Sequence, residues 1–222
     1  MMPITKNDLT GVKTTAAPLS TDLFNRIKED ILSGKLKKDQ KLIEQSICDE
    51  YKVSRTPVRE ALLQLEMEGL VETIPNRGAF VLGLSARDMD DMFILRKIYE
   101  VQAVRWAIER ITDEEMAELE ETFDFMEFYT MKNDVEKMLN INVNFHQTIY
   151  KASHNRMLLH LLSSYQAYIR HGRRDLADKE EYLKTVLKEH RDIFQAFLDK
   201  DVEAGVRAME IHMDHSKARH RP

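Results

Sequence analysis

Leu42-Ile-Glu-Gln-Ser-Ile-Cys-Asp-Glu-Tyr-Lys-Val-Ser-Arg-Thr-Pro-Val-Arg-Glu-Ala-Leu-Leu-Gln-Leu-Glu-Met-Glu-Gly-Leu-Val71 reads as two helices joined by a tight turn. The first covers about Glu44 to Tyr51 and buries Ile47, and Lys52-Val53-Ser54 makes the turn. The second runs to about Glu68, with Ser54 or Thr56 as cap and Pro57 in the first turn, where its missing N–H does no harm. Its apolar side is Val58, Ala61, Leu62 and Leu65, and Gly69 closes it. Working outward, Ser20 and Thr21 can cap an earlier helix carrying Leu23, Ile27, Ile31 and Leu32, ended by Gly34. Downstream, the β-prone runs Val71–Ile74 and Ala79–Leu82 flank Pro75-Asn76-Arg77-Gly78, which is good hairpin-turn chemistry. No other strand pair stands out. Helix, helix, turn, helix and hairpin over residues 19–83 is the pattern of a winged helix-turn-helix.

Such a pattern can lay its second helix in the major groove of DNA, with the N-terminal side chains of that helix towards base edges. Here those are Ser54, Arg55, Thr56 and Arg59. Arg55 and Arg59 share a helical face, and arginine grips guanine O6 and N7 bidentately. Ser54 and Thr56 offer hydroxyls to phosphates, and Lys52 a charge. At the hairpin tip, Arg77 beside Gly78 can reach a neighbouring groove or phosphate. Taken alone, the two arginines equally fit solvated charges paired with a nearby glutamate.

Charge placement bears on this choice more than net charge does. The 222-residue chain carries −5, with 12 Lys and Arg against 12 Asp and Glu through Gly83 and 21 against 26 beyond it. Locally, Lys52 to Arg59 holds three positive charges and no negative one. Seven glycines and five prolines are too few for a β-sandwich or barrel and suit a mainly α protein. One cysteine, Cys48, excludes a disulfide framework and a cysteine-based zinc cluster, and agrees with a reducing compartment. No apolar run reaches the roughly 18–20 residues of a membrane-spanning helix. Residues 1–18 read as a flexible polar tail without a signal-peptide core, so an intracellular, non-membrane protein is expected.

From Leu84 to Pro222 the pattern is helical throughout. Ser85 with Asp88, Thr112 with Glu115 and Asp178 with Glu181 resemble capping boxes, and further starts fit Asp134, Ser153 and Asp201. Six helices follow, at about 86–110, 113–131, 135–152, 154–175, 179–199 and 202–219, joined by connections short enough for one antiparallel bundle. The first has the stripe Met92, Leu95, Tyr99, Ala103 and Trp106. Of eight histidines, His171 and His220 fit solvated positions, whereas three lie on apolar stripes. His146 accompanies Met138, Asn142, Phe145 and Ile149; His190 accompanies Tyr182, Val186, Ile193 and Phe197; His212 accompanies Val202, Gly205, Val206, Met209 and Met213. Three helices thus each direct an imidazole inward, with the Asn142 amide one turn from His146. Periodicity leaves two readings level: core histidines bonded to carbonyls, or ligands of one metal ion. Arg96, one turn from Glu100, is either an i,i+4 ion pair or an inward clamp for a carboxylate. Tyr165 and Arg170 on the fourth helix are further candidates for that role.

The stretch from Leu42 to Val71, with Asn76-Arg-Gly-Ala-Phe-Val81 after it, closely resembles the DNA-binding domain of GntR-family bacterial transcription regulators, over about sixty residues. That resemblance implies operator contacts by Arg55, Thr56, Arg59 and Gly78. Where many members place a DNA-contacting arginine after the glutamate matching Glu44, this chain has Gln45, which implies a different operator preference there. Asn142-Val-Asn-Phe-His146, Glu189-His190 and His212 look like the FCD ligand-binding domain of the FadR subfamily, and six C-terminal helices resemble its VanR-like branch. The implied metal set is Asn142, His146, His190 and His212, holding Zn, Ni or Mn. Asn142 stands where an aspartate is common, so the site has one negative charge fewer and a weaker hold on a divalent ion.

These readings give a metabolite-responsive regulator as the expectation. A homodimer would bind pseudo-palindromic operator DNA in the bacterial cytoplasm, associating with the nucleoid when bound. A small organic acid would act through Arg96 on the helix that follows the wing after Gly83-Leu-Ser-Ala86. A metal-dependent hydrolase is the first alternative, but there is no His-Glu-x-x-His, no general base evident beside the histidines and no phosphate loop. A DNA-binding protein with a purely structural metal is the second.

Overall fold

A computed structural model of the protein describes residues 19–169 and 179–220. The chain divides into two compact units, one through Gly83 and one from Leu84. The polar tail expected over residues 1–18 lies outside the described residues.

In the first unit the order is α1 (Leu19–Leu32), β1 (Lys41–Leu42), α2 (Glu44–Tyr51), α3 (Arg55–Met67), β2 (Val71–Ile74) and β3 (Gly78–Val81). Leu23, Ile27 and Ile31 line one face of α1, and Val58, Ala61, Leu62 and Leu65 line α3; all are buried, and the two helices pack together. Ser20 and Thr21 lie inside α1 rather than ahead of it. Lys52 closes α2 in the left-handed region (φ 54°), which turns the chain sharply into α3. Ser54 sits at the cap position of α3, but its side chain makes no capping hydrogen bond.

The sheet has three antiparallel strands in the order β1-β3-β2. Val71 pairs with Val81 and Ile74 with Gly78, so Pro75, Asn76 and Arg77 form the turn, with Asn76 (φ 61°) and Gly78 (φ 97°) left-handed. β1 was not expected. Its two residues pair with Phe80 and Ala79, and a strand so short has no alternation of its own to reveal it.

The second unit contains α4 (Ala86–Arg110), α5 (Asp113–Met131), α6 (Val135–Ala152), α7 (Arg156–Ile169), α8 (Lys179–Leu198) and α9 (Val202–Arg219). Reciprocal capping boxes start α4 (Ser85, Asp88) and α5 (Thr112, Glu115). Asp134 and Asp201 accept the N–H groups of Lys137 and Ala204 at the starts of α6 and α9. Ser153 does not cap α7. It is buried at the end of α6, and Asn155 Oδ1 instead accepts the N–H groups of Met157 and Leu158, both at 3.1 Å. The box at Asp178 and the stretch of α7 expected up to residue 175 lie outside the described residues.

The inward face of α4 is rotated from the expected stripe. Met92, Phe93, Arg96, Glu100, Ala103, Val104, Ala107 and Ile108 are buried, whereas Leu95 is exposed and Tyr99 and Trp106 are half-buried. Reading apolarity alone skips the two charged residues that point inward as a pair. The core is built from α5 (Leu119, Phe123, Met126), α6 (Met138, Phe145, Ile149) and matching residues of α4, α8 and α9. Among the described residues no helix is long and apolar enough to cross a membrane.

α9 packs tightly on α4 at Gly205, where a Cβ would fall 2.4 Å from Ile108 Cδ1 and 3.0 Å from Val104 Cγ1. Gly205→Val should lower stability by about 1–3 kcal/mol through overpacking, seen as an earlier midpoint in urea unfolding. An unchanged midpoint would mean that the two helices have slack at this point.

Candidate metal centre and nucleic-acid face

α6, α8 and α9 bring His146, His190 and His212 together in the interior of the second unit. All three are buried, and one ligand nitrogen from each lies within 4.8 Å of the other two. The ring centroids are 5.3 Å (His146–His190), 5.2 Å (His146–His212) and 4.5 Å (His190–His212) apart.

Each ring is held at Nδ1 by a group that can only accept a proton. His146 Nδ1 meets Glu100 Oε2 at 3.2 Å, His190 Nδ1 donates to the Val186 carbonyl at 2.7 Å, and His212 Nδ1 meets Glu189 Oε2 at 2.9 Å. These acceptors fix the tautomer with the proton on Nδ1, which leaves Nε2 as the basic nitrogen of each ring. Nε2 of His146 is buried without a hydrogen-bond partner among the described residues. An unsatisfied buried acceptor costs about 1–3 kcal/mol, and a divalent ion shared by three Nε2 atoms removes that cost. The residues present therefore fit a metal ion. Asn142 is also buried on α6, one turn before His146.

Charged residues surround this cluster in two groups. On one side Arg96, 3% exposed, donates from Nε (2.9 Å) and Nη2 (2.7 Å) to Glu100 Oε1, and the Tyr150 hydroxyl donates to the same oxygen. Arg96 is thus inward-facing and ion-paired at once. Burial acts to raise the Glu100 pKa, but His146, Arg96 and the Tyr150 hydroxyl outweigh it and hold it well below the usual carboxylate range. On the other side Glu189 accepts from His212, from His215 Nδ1 at 2.8 Å and from both Arg219 Nη atoms at 2.8 Å. Burial works against its ionisation, yet Arg219 and His212 bring its pKa down to about 2. Burial lowers His212 to about 4, against the pull of Glu189, so this ring is neutral near pH 7.

Glu100, Tyr150, His215 and Arg219 went unnoticed in the sequence as supports of the histidines. Spacing carried a faint signal, since Tyr150 is four residues from His146 and Arg219 seven from His212. Of the remaining candidates, Tyr165 is half-buried on α7 with its ring 6.4 Å from that of Tyr99, and Arg170 lies outside the described residues, as does His171. His220 is not simply solvated: its ring lies 4.9 Å from that of Phe93.

In the first unit Ser54, Arg55, Thr56 and Arg59 stand exposed on the start of α3, with Lys52 exposed in the turn before them. α2 steadies both arginines. Arg55 Nη2 donates to Gln45 Oε1 at 3.0 Å, and Arg59 Nε reaches both Glu44 oxygens at 3.0–3.1 Å. Gln45 is itself held by Asp49 at 2.9 Å. Arg77 and Gly78 are exposed on the wing, and a 540 Å³ cleft between wing and α3 is lined by residues including Lys41, Arg59, Thr73 and Arg77.

A winged helix-turn-helix with exposed basic residues, joined to a helical unit with a buried ligand cluster, defines a DNA-binding regulator with a ligand-sensing domain. Residues 19–81 match the family described as bacterial regulatory proteins, gntR family, and residues 91–215 match the FCD domain, so the chain belongs to the GntR family and its FadR-like, FCD-containing subfamily. It is a transcriptional regulator with a DNA-binding domain and an effector domain. It is 30% identical over 200 residues to the HTH-type transcriptional regulator YdhC of Bacillus subtilis (strain 168), spanning 89% of each chain. With the HTH-type transcriptional repressor RspR of Escherichia coli (strain K12) it shares 24% over 196 residues, 88% of this chain and 86% of that one. The solved structure of E. coli McbR/YncC aligns with a TM-score of 0.72 at 25% identity, covering 91% of this chain and 97% of that one.

The buried charges set a pH dependence. In metal-free protein the fold keeps His212 neutral, while the unfolded chain takes up a proton below its ordinary pKa of 6.5. The resulting stability is complete above pH 6.5 and is lost as pH falls towards 4, by on the order of 3 kcal/mol. Glu189 extends the loss from 4.5 down to about 2. Urea midpoints of chelator-treated protein should fall steadily from pH 7 to pH 4.5, and a flat profile would contradict the buried, neutral His212.

Proposed function

We propose that this regulator holds one divalent metal ion on His146, His190, His212 and Asn142, senses a small carboxylate beside it, and binds operator DNA in the cytoplasm as a homodimer. The observation that carries this reading is the common anchoring of the three imidazoles, each at Nδ1, around the unsatisfied Nε2 of His146. Zn, Ni and Mn all suit imidazole and amide donors. Asn142 contributes no charge, so the bound ion keeps nearly its full positive charge and attracts an anion. Arg96 already grips Glu100, and an acid effector therefore competes with that carboxylate for the guanidinium or meets the metal directly. Tyr165 and Arg170 are assigned as further contacts to that acid. Glu100 and Glu189 are both engaged in ion pairs and in holding histidines, which argues against either serving as the general base of a hydrolase.

Arg55 and Arg59 are assigned base contacts, aimed by Gln45 and Glu44. Lys52, Ser54 and Thr56 are assigned phosphate contacts, and Arg77 and Gly78 the wing contact. A two-fold operator requires two copies, and the exposed aliphatic residues Ile94, Leu95 and Ile98 of α4 offer a surface for pairing them.

Protein purified without a histidine tag should contain close to one divalent metal per chain by elemental analysis, and His190→Ala should lose it. Retention of metal by that variant would remove the three-helix site. For metal-loaded protein, a panel of carboxylic acids should include one that changes operator affinity, and no response across the panel would favour a structural metal.

Arg55→Ala or Arg59→Ala should weaken operator binding by about 1–3 kcal/mol with helical content intact, whereas Lys52→Ala should weaken all sequences alike and flatten the salt dependence. Equal affinity of the arginine variants and wild type in a fixed-salt titration would refute the base contacts.

A further inference from the structure

Glu189 is bonded as heavily as Glu100 beside the histidine cluster, but its partners among the described residues all come from one face of α9. His212, His215 and Arg219 are spaced three and four residues apart, so they rise along the helix on the side facing α8. Arg219, the last residue of α9, forks onto Glu189 with Nη1 on Oε1 and Nη2 on Oε2, both at 2.8 Å. Oε2 is also the atom that meets His212 Nδ1. The guanidinium carbon lies 5.8 Å from the centre of the Tyr182 ring on α8, which limits how the fork can swing. Two parallel bonds fix the plane of a carboxylate as a single bond cannot. Fixing that plane fixes where Oε2 sits, and with it the rotation of the His212 ring.

The two supporting carboxylates differ in how they are enclosed. Glu100, behind His146, is fully buried with Arg96, which is only 3% exposed. Behind His212, Arg219 retains 22% side-chain exposure and His215 55%, and both line a 400 Å³ surface cleft with Tyr182 and Thr185. His212 is therefore the ligand whose support reaches the surface.

We propose that Arg219 is a positioning residue for the metal centre, acting through Glu189 to hold His212 in its ligating orientation. This rests on the three-histidine metal reading and extends it to a residue two helical turns from the nearest ligand. Outer partners of this kind change metal affinity by roughly 10–100-fold when removed.

Zinc affinity, measured by chelator competition on the full chain, tests the assignment. Glu189→Gln should weaken zinc binding roughly 10–100-fold and Arg219→Gln roughly 10-fold. Because both act through the same imidazole, Arg219→Gln should add less than about twofold in the Glu189→Gln background, whereas independent structural damage would be additive. Arg219→Lys, which keeps the charge and loses the fork, should fall between wild type and Arg219→Gln. Cobalt loaded in place of zinc should show a shifted visible absorption band in the Arg219 variants but not in Arg191→Gln, a change to an exposed ion pair elsewhere on α8. Wild type that binds zinc together with Arg219→Gln or Arg219→Lys of equal affinity overturns the role of Arg219 alone. Wild type that takes up no zinc overturns the metal reading and this assignment with it.

Discussion

Three imidazoles inside an apolar bundle are tolerable only if each ring nitrogen has a defined partner, since a buried polar group without one costs several kcal/mol. The helical unit meets this constraint at Nδ1, from outside the cluster, and leaves Nε2 of His146 without a partner among the described residues. Glu100, the Val186 carbonyl and Glu189 each accept a hydrogen bond from one Nδ1–H, and one nitrogen of each ring lies within 4.8 Å of the other two. The carboxylates are themselves costly to bury, and each has its own arginine: Arg96 on α4 for Glu100, Arg219 on α9 for Glu189. The packing of α4 against α9 and α6, and of α8 against α9, brings these groups together. Ion pairs of this kind are poor contributors to stability. Under the proposed metal site, their role is to fix ligand geometry rather than to stabilise the fold.

The DNA-binding unit follows a parallel logic on its surface. α2 does more than support α3 from below. Its first two residues, Glu44 and Gln45, hold Arg59 and Arg55 respectively. Side chains steadied in this way lose less freedom on meeting a base edge than freely rotating ones. Gln45 thus has a concrete structural role: it holds its neighbour Arg55.

Much of this was legible in the sequence, and the exceptions share a cause. The helix-turn-helix and hairpin announce themselves through local chemistry, in Pro57, Gly69 and the Pro75–Gly78 turn, and the capping boxes at Ser85 and Thr112 mark their helices correctly. His146, His190 and His212 stood out because polar residues on apolar stripes break the pattern. What depended on a distant partner stayed hidden. β1 exists because β3 lies beside it, and the stripe of α4 was misphased because Arg96 and Glu100 are inward only in company with His146 and Tyr150. The support of His212 by Glu189 and Arg219 depends on α8 and α9 being neighbours, which periodicity within either helix cannot report. At Ser153 the local signal itself misled, since Asn155 two residues on makes the better cap.

The central claim is that three imidazoles from three helices bind one metal through Nε2 while their Nδ1 protons are held from behind. X-ray absorption at the metal edge of metal-loaded, tag-free protein measures the imidazole ligation directly. The account predicts three imidazole nitrogens per metal at about 2.0–2.1 Å for zinc, the remainder of the shell being oxygen. A shell with one imidazole or none would contradict it.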